Sequence, residues 1–119
     1  MTARECAGHA VGMTDYSPDQ PLREDLDATS GPAVVIFGTE WCGYCIAADR
    51  YIAPALAAHP DVPVYGVEDG PGRRLGRSYG VKLWPTVIFL RDGAEVDRAV
   101  RPTDRGPLDE AMTKITQPA

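Results

Sequence analysis

A chain of 119 residues with 44% hydrophobic content has room for one domain with a proper core and too little for two. Its net charge of -5 argues against nucleic acid or an anionic membrane as the main partner, and no run is long and apolar enough to span a bilayer. Three cysteines, an odd number, do not make a disulfide framework; a close pair plus a stray points to redox or metal chemistry in a reducing compartment.

Residues 1–14 lack hydrophobic periodicity and read as a flexible N-terminal tail, with residues 15–119 as the domain. Met1 to Gly12 carries Arg4 and Glu5 but no apolar core of a secretory signal. A cytoplasmic location is therefore expected, and a periplasmic one only if a leader has been removed. Met13 is a second possible start. Ser17-Pro18-Asp19 predicts a helix opening with Ser17 as N-cap and Pro18 in the first turn. Leu22 and Leu26 would face inward, and Ser30-Gly31-Pro32 would end that helix. Ala33-Val34-Val35-Ile36-Phe37 predicts a buried strand, being short, apolar and rich in β-branched residues. A helix is expected from Cys42 to Ala58, with Ile46, Ile52 and Leu56 at helical spacing and His59-Pro60 as its stop. Pro54 should kink it, since proline removes one backbone bond and clashes one turn back. Val62 to Val67 alternates like a strand, and Arg73 to Tyr79 predicts a short helix closed by Gly80. Thr86 to Leu90 and Ala94 to Ala99 flank Asp92-Gly93, a hairpin signal. Pro107 to Ile115 predicts a last helix with Leu108, Met112 and Ile115 on one face.

The chemistry lies in Trp41-Cys42-Gly43-Tyr44-Cys45, two cysteines separated by two residues where the first strand hands over to a helix. A helix start offers unpaired N–H groups and a positive dipole end, and both favour a thiolate. Such a thiolate attacks a disulfide, and a second cysteine one turn later completes the exchange. Cys42, nearer the helix start and expected to be the more exposed, is assigned as nucleophile, with Cys45 resolving the mixed disulfide. Trp41 and Tyr44 would shape the rim and contact a peptide. Two other readings of the pair stand beside this one. The cysteines could be structural, or they could join Cys6-Ala7-Gly8-His9, with its C-x-x-H spacing, as four zinc ligands. The zinc reading needs order in a tail that shows no signal of it. His59 reads as a solvated helix end.

From about Ser17 to Ile115 the order helix, strand, CxxC, helix, strand, helix, Pro-Thr, hairpin, helix resembles the thioredoxin family. Phe37 before the motif, Glu40-Trp41-Cys42-Gly43 leading into it, and Tyr79-Gly80-Val81 followed by Trp84-Pro85-Thr86 carry the resemblance. It implies an α/β, thioredoxin-like fold, a central mixed β-sheet flanked by α-helices on both faces. It further implies a monomeric thiol–disulfide oxidoreductase with no cofactor and no metal. Its substrate would be a disulfide-containing protein or a thiol compound, and its electron donor a reductase or glutathione. The resemblance also makes Pro85 cis and sets it beside the cysteine pair. Trp84 would then offer its backbone to an extended substrate peptide.

The sequence departs from the family pattern in three places. Thioredoxins proper carry a buried aspartate six residues before the first cysteine, which helps move the proton of the resolving thiol; here that residue is Ile36. Asp49, one turn after Cys45, is a substitute acceptor or else a solvated helix residue, and Glu40 beside the motif alters the local field. Arg101, followed by Pro102, stands where the family usually has a groove-lining glycine. It would either grip a substrate carboxylate or pair in solvent with Asp104 or Asp97. The mid-helix proline falls four residues later than usual, at Pro54.

Two further functional readings remain at this stage. Tyr44 resembles the glutaredoxin motif, and Arg73, Arg74 and Arg77 with Lys82 and Arg101 could bind glutathione carboxylates, although Leu83-Trp84 departs from that family. A redox-inert docking module would use the surface of Trp41, Tyr44 and Trp84 to hold a partner.

Overall fold

The computed structural model describes residues 15–117; the tail reading of residues 1–14, with Cys6, His9 and Met13, lies outside the described residues. In chain order the elements are α1 (Arg23–Asp27), β1 (Pro32–Gly38), α2 (Gly43–Ala57), β2 (Val64–Glu68), α3 (Arg74–Ser78), β3 (Thr86–Arg91), β4 (Ala94–Val100) and α4 (Gly106–Thr116).

From Ala33 onward every residue of β1 is buried. Continuous burial requires a covering layer on each side of the sheet. Val34 and Ile36 face one core with Ile52 and Leu56 of α2 and Leu108, Met112 and Ile115 of α4. Ala33, Val35 and Phe37 face the other, with Leu26 of α1 and Leu75 of α3. The strand period of two thus divides one apolar run between two cores. The sheet order is β2-β1-β3-β4. β2 lies parallel to β1, whereas β3 is antiparallel to β1 and β4 to β3. The parallel pair needs a long crossover, which α2 supplies. This is the expected mixed sheet with helices on both faces, and it places the C-terminal end of β1 and the start of α2 at one end of the sheet.

The hairpin forms as the Asp-Gly signal requires. Asp92 and Gly93 have φ of 52° and 82°, the left-handed pair of a tight turn between strands. Asp92 also ties the turn to Gly31, its N–H donating to the Gly31 carbonyl at 2.9 Å and its Oδ1 accepting from the Gly31 N–H at 2.8 Å. β4 is a partly exposed edge whose register shifts opposite Phe89 and Leu90, a common way for an edge strand to discourage further pairing.

The first helix departs from expectation. It starts at Arg23, with Leu22 as an extended N-cap that is 58% exposed; only Leu26 turns inward. Ser17 instead pairs with Val67 beside β2, its N–H bonded to the Gly66 carbonyl at 2.9 Å and its carbonyl accepting from the Glu68 N–H at 2.8 Å. Its hydroxyl accepts from the Asp19 N–H at 3.1 Å, a local bond that competes with helix. Pro21 then disfavours the helical region for Gln20. β2 similarly begins two residues late: Pro63 has no N–H for a ladder, although its carbonyl accepts from Val34 at 3.0 Å, and Val62 is buried ahead of the strand. α2 is continuous through Pro54, with Ile52 and Leu56 buried but Ile46 exposed.

Candidate active site

Cys42 is the N-cap of α2, extended at φ -77° and ψ 119°, and its Sγ accepts from the Cys45 N–H at 3.3 Å. A sulfur thereby fills the role that a serine or aspartate oxygen usually has at a helix start. The cap is held from behind by the Cys42 N–H on the Thr39 carbonyl at 3.4 Å. Both cysteines are free thiols and both are buried, Cys42 at 7% and Cys45 at 3% exposure. The expected contrast in exposure is therefore small. What separates the two sulfurs is position: Cys42 receives a helix N–H, and Cys45 lies on the inner face of the first turn. Burial, followed by the hydrogen bond and charge of Cys42, pushes the Cys45 thiol up to about 12, with the Thr39 backbone and the Tyr16 hydroxyl opposing.

The rim residues named from sequence form one connected set. Trp41 is 74% exposed and meets Trp84 edge-on, ring centroids 5.9 Å apart. Trp84 is fixed by its indole Nε1–H, which donates to Asp69 Oδ2 at 2.9 Å. The Trp84–Pro85 bond is cis, as the resemblance implied, and Pro85 is buried. Arg101, just past the end of β4, closes the set. Its N–H donates to the Pro85 carbonyl at 2.9 Å, its Nε to the Trp84 carbonyl at 2.8 Å, and its guanidinium lies 3.7 Å over the Tyr44 ring. Arg101 thus joins Trp84 and Pro85, the groove neighbours its place in the family pattern implied, while Asp97, its alternative partner, is bonded to Lys114 at 3.0 Å. Arg101 has φ 48°, left-handed backbone that suits glycine, which accounts for the family's usual residue there. The Trp84 carbonyl, expected to be open to a substrate peptide, already accepts from Arg101.

Behind the motif lies a packed cluster that the sequence did not mark. Ile36 is fully buried in the same core as Cys42 and Cys45, so no carboxylate enters from β1. Tyr16 packs there instead, 6% exposed. A Cβ on Gly38 would stand 2.6 Å from Cys45 Sγ and 3.0 Å from Cε1 and Cζ of Tyr16, so the thiol and the phenol converge on the space this glycine leaves. Asp49 of α2 is also buried, 8% exposed, and not on a solvated face. Burial above all, then the neighbouring Cys45, holds the Tyr16 proton in place far above the usual phenol range, with Asp49 adding in the same direction. Tyr16, Gly38 and Asp69 were missed because each matters through a partner distant in sequence. The one visible signal was a glycine closing an apolar strand just ahead of the motif.

Arg73 is bonded to Glu68 and to the Pro18 carbonyl, both at 2.6 Å. Among the described residues no group of three or more His, Cys, Asp or Glu is arranged to hold a metal ion; Cys6 and His9 lie outside them.

The chain resembles known proteins in both sequence and fold. The thioredoxin family profile matches residues 15–114. Thioredoxin from Chlamydia trachomatis is 32% identical over 85 residues, covering 71% of this chain and 83% of that protein. Thioredoxin H-type 1 from Nicotiana tabacum is 34% identical over 90 residues, covering 72% and 68% respectively. The structure of reduced thioredoxin 2 from Pseudomonas aeruginosa PAO1 superposes with a TM-score of 0.76 at 53% identity, covering 86% of this chain and 94% of that one. The family match, the sequence relatives and the superposed structure agree, and the chain belongs to the thioredoxin family of thiol–disulfide oxidoreductases.

Proposed function

We propose that Cys42 attacks a substrate disulfide and that Cys45 then resolves the mixed disulfide, leaving a Cys42–Cys45 bond and two reduced substrate sulfurs. The observation that carries this order is the helix N–H on Cys42 Sγ together with a Cys45 thiol pushed up to about 12. At neutral pH the second sulfur waits as a thiol until the first has reacted.

The substrate in this reading is a protein disulfide. Trp41, Tyr44, Ile46 and Leu83 are exposed apolar side chains around the motif, an area suited to a peptide chain. Trp84 and Arg101 extend the same rim, through the Trp41–Trp84 and Tyr44–Arg101 contacts, with Pro85 buried beneath it. The electron donor we propose is a reductase of the thioredoxin system, in a reducing cytoplasm. The glutathione-linked alternative has less support, since Arg73 is committed to Glu68 and the relatives reported above are thioredoxins. Turnover of a protein disulfide such as insulin, driven by a thioredoxin reductase and then by glutathione, tests this. Faster turnover with the reductase is expected; turnover only with glutathione would reverse the choice.

Arg101 would set substrate charge preference. Its guanidinium faces Tyr44 at the groove, where it adds a positive charge to an aromatic wall. Arg101→Gly should lower the preference for substrates with an acidic group beside the disulfide. In wild type that preference should fade as salt rises, because screening acts over about 8–10 Å near physiological ionic strength. Stability should change by no more than about 1 kcal/mol, since relief of left-handed backbone opposes loss of the stacking and hydrogen bond. kcat/KM for an acidic and a neutral peptide disulfide, at two salt concentrations, checks both points. An unchanged ratio would leave Arg101 as a structural strap only.

A further inference from the structure

The resolving step requires Cys45 to become a nucleophile in a site whose strand carries Ile36 in place of an acid. We propose that Tyr16 is a catalytic residue of that step, its hydroxyl donating a hydrogen bond to the Cys45 sulfur as negative charge develops there. The inference rests on Cys45 being the resolving thiol.

The geometry comes from three segments. Tyr16, just before Ser17 pairs beside β2, is buried against the first turn of α2. Gly38 ends β1 without a side chain, and the Cys45 sulfur and the hydroxyl-bearing Tyr16 carbon Cζ occupy the space so left, 2.6 and 3.0 Å from the absent Cβ. The groups acting on Cys45 are Cys42, the Thr39 backbone and Tyr16; those acting on Tyr16 are Cys45, Asp49 and Cys42. Of the three on Cys45, Cys42 disfavours the thiolate while Thr39 and Tyr16 favour it. Tyr16 keeps its proton in this surrounding, so it acts as a donor and does not take the thiol's proton.

The step balances without another reactant. The Cys45 thiol loses its proton and its sulfur bonds to Cys42 Sγ. The bond from Cys42 to the substrate sulfur breaks, its electron pair leaves with the substrate, and that thiolate takes up a proton. Two protein thiols are oxidised to one disulfide as one substrate disulfide is reduced to two thiols. Tyr16 stabilises the transient Cys45 charge, and a hydrogen bond to an ionised group is the stronger kind.

Stopped-flow reaction with dithiobis(nitrobenzoate) separates the two steps, because attack by Cys42 releases one coloured thiolate and resolution by Cys45 releases the second. Tyr16→Phe, which keeps the ring, should leave the first phase within about twofold and slow the second about tenfold or more. The pH midpoint of the second phase should move up, a shift that mere packing would not produce. A fluorinated tyrosine at position 16, a stronger donor of nearly the same shape, should move that midpoint down and decides the matter if the phenylalanine variant folds poorly. A second phase and midpoint unchanged in both variants would overturn the proposal. Wild-type protein that releases no thiolate from Cys42 would instead overturn the assignment of the nucleophile, a distinguishable failure.

Discussion

Gly38→Ala should keep the fold and lose most of the activity. Gly38 does not need glycine for its backbone; it needs glycine for space. An alanine Cβ would meet the Cys45 sulfur at 2.6 Å, closer than such atoms approach, and the Tyr16 ring at a tight 3.0 Å, and neither neighbour is a flexible chain end. Cys45 is held by its place on α2, and Tyr16 by burial beside the sheet. One of them must move, at a cost of about 1–3 kcal/mol in stability for overpacking. A displacement near 1 Å at a reacting atom costs about a hundredfold in rate. The expected result is a lower midpoint in denaturant and a resolving step slowed about a hundredfold, with Cys42 alkylation little changed. Wild-type resolution in this variant would mean that the packing behind Cys45 is not a constraint on the chemistry.

The two cysteines should differ in reactivity far more than their similar burial suggests. Burial and the neighbouring Cys42 push the Cys45 thiol up, so it is almost wholly protonated at pH 7, and only the thiolate alkylates. Its rate should therefore rise about tenfold per pH unit through the neutral and mildly alkaline range. Iodoacetamide with site-resolved mass spectrometry should find Cys42 modified first at pH 7, with Cys45 following only as pH rises. Equal rates at neutral pH would remove the basis for assigning different roles.

Much of this was legible in the sequence because it is local. The apolar run before the motif, the Asp-Gly turn and the Leu108, Met112 and Ile115 stripe each carry their period or turn chemistry on neighbouring residues. The fold class followed from their order. The first helix was misplaced because Ser17 and Pro18 satisfy a helix-start pattern that long-range pairing with Val67 overrides. Arg101 was legible in part, since its place in the family pattern put it beside Trp84 and Pro85 but did not show its stacking on Tyr44. Its sequence neighbours Asp104 and Asp97 were plausible partners, whereas the fold brings it to Trp84 and Tyr44. Ile46 kept helical spacing with the buried face yet is exposed beside the motif. Asp49 is the reverse: a charged residue that a helix pattern would send to solvent and that packing keeps inside.

Trapping is the most direct test of Cys42 as attacking sulfur and Cys45 as resolving sulfur. Incubated with a protein disulfide substrate, Cys45→Ser should accumulate a covalent complex that reductant releases, because the bond formed at Cys42 has no partner thiol to break it. Cys42→Ser should trap nothing under the same conditions, and both variants should lose turnover. A complex that forms through Cys45 in the Cys42→Ser protein, or none in Cys45→Ser, would contradict the account.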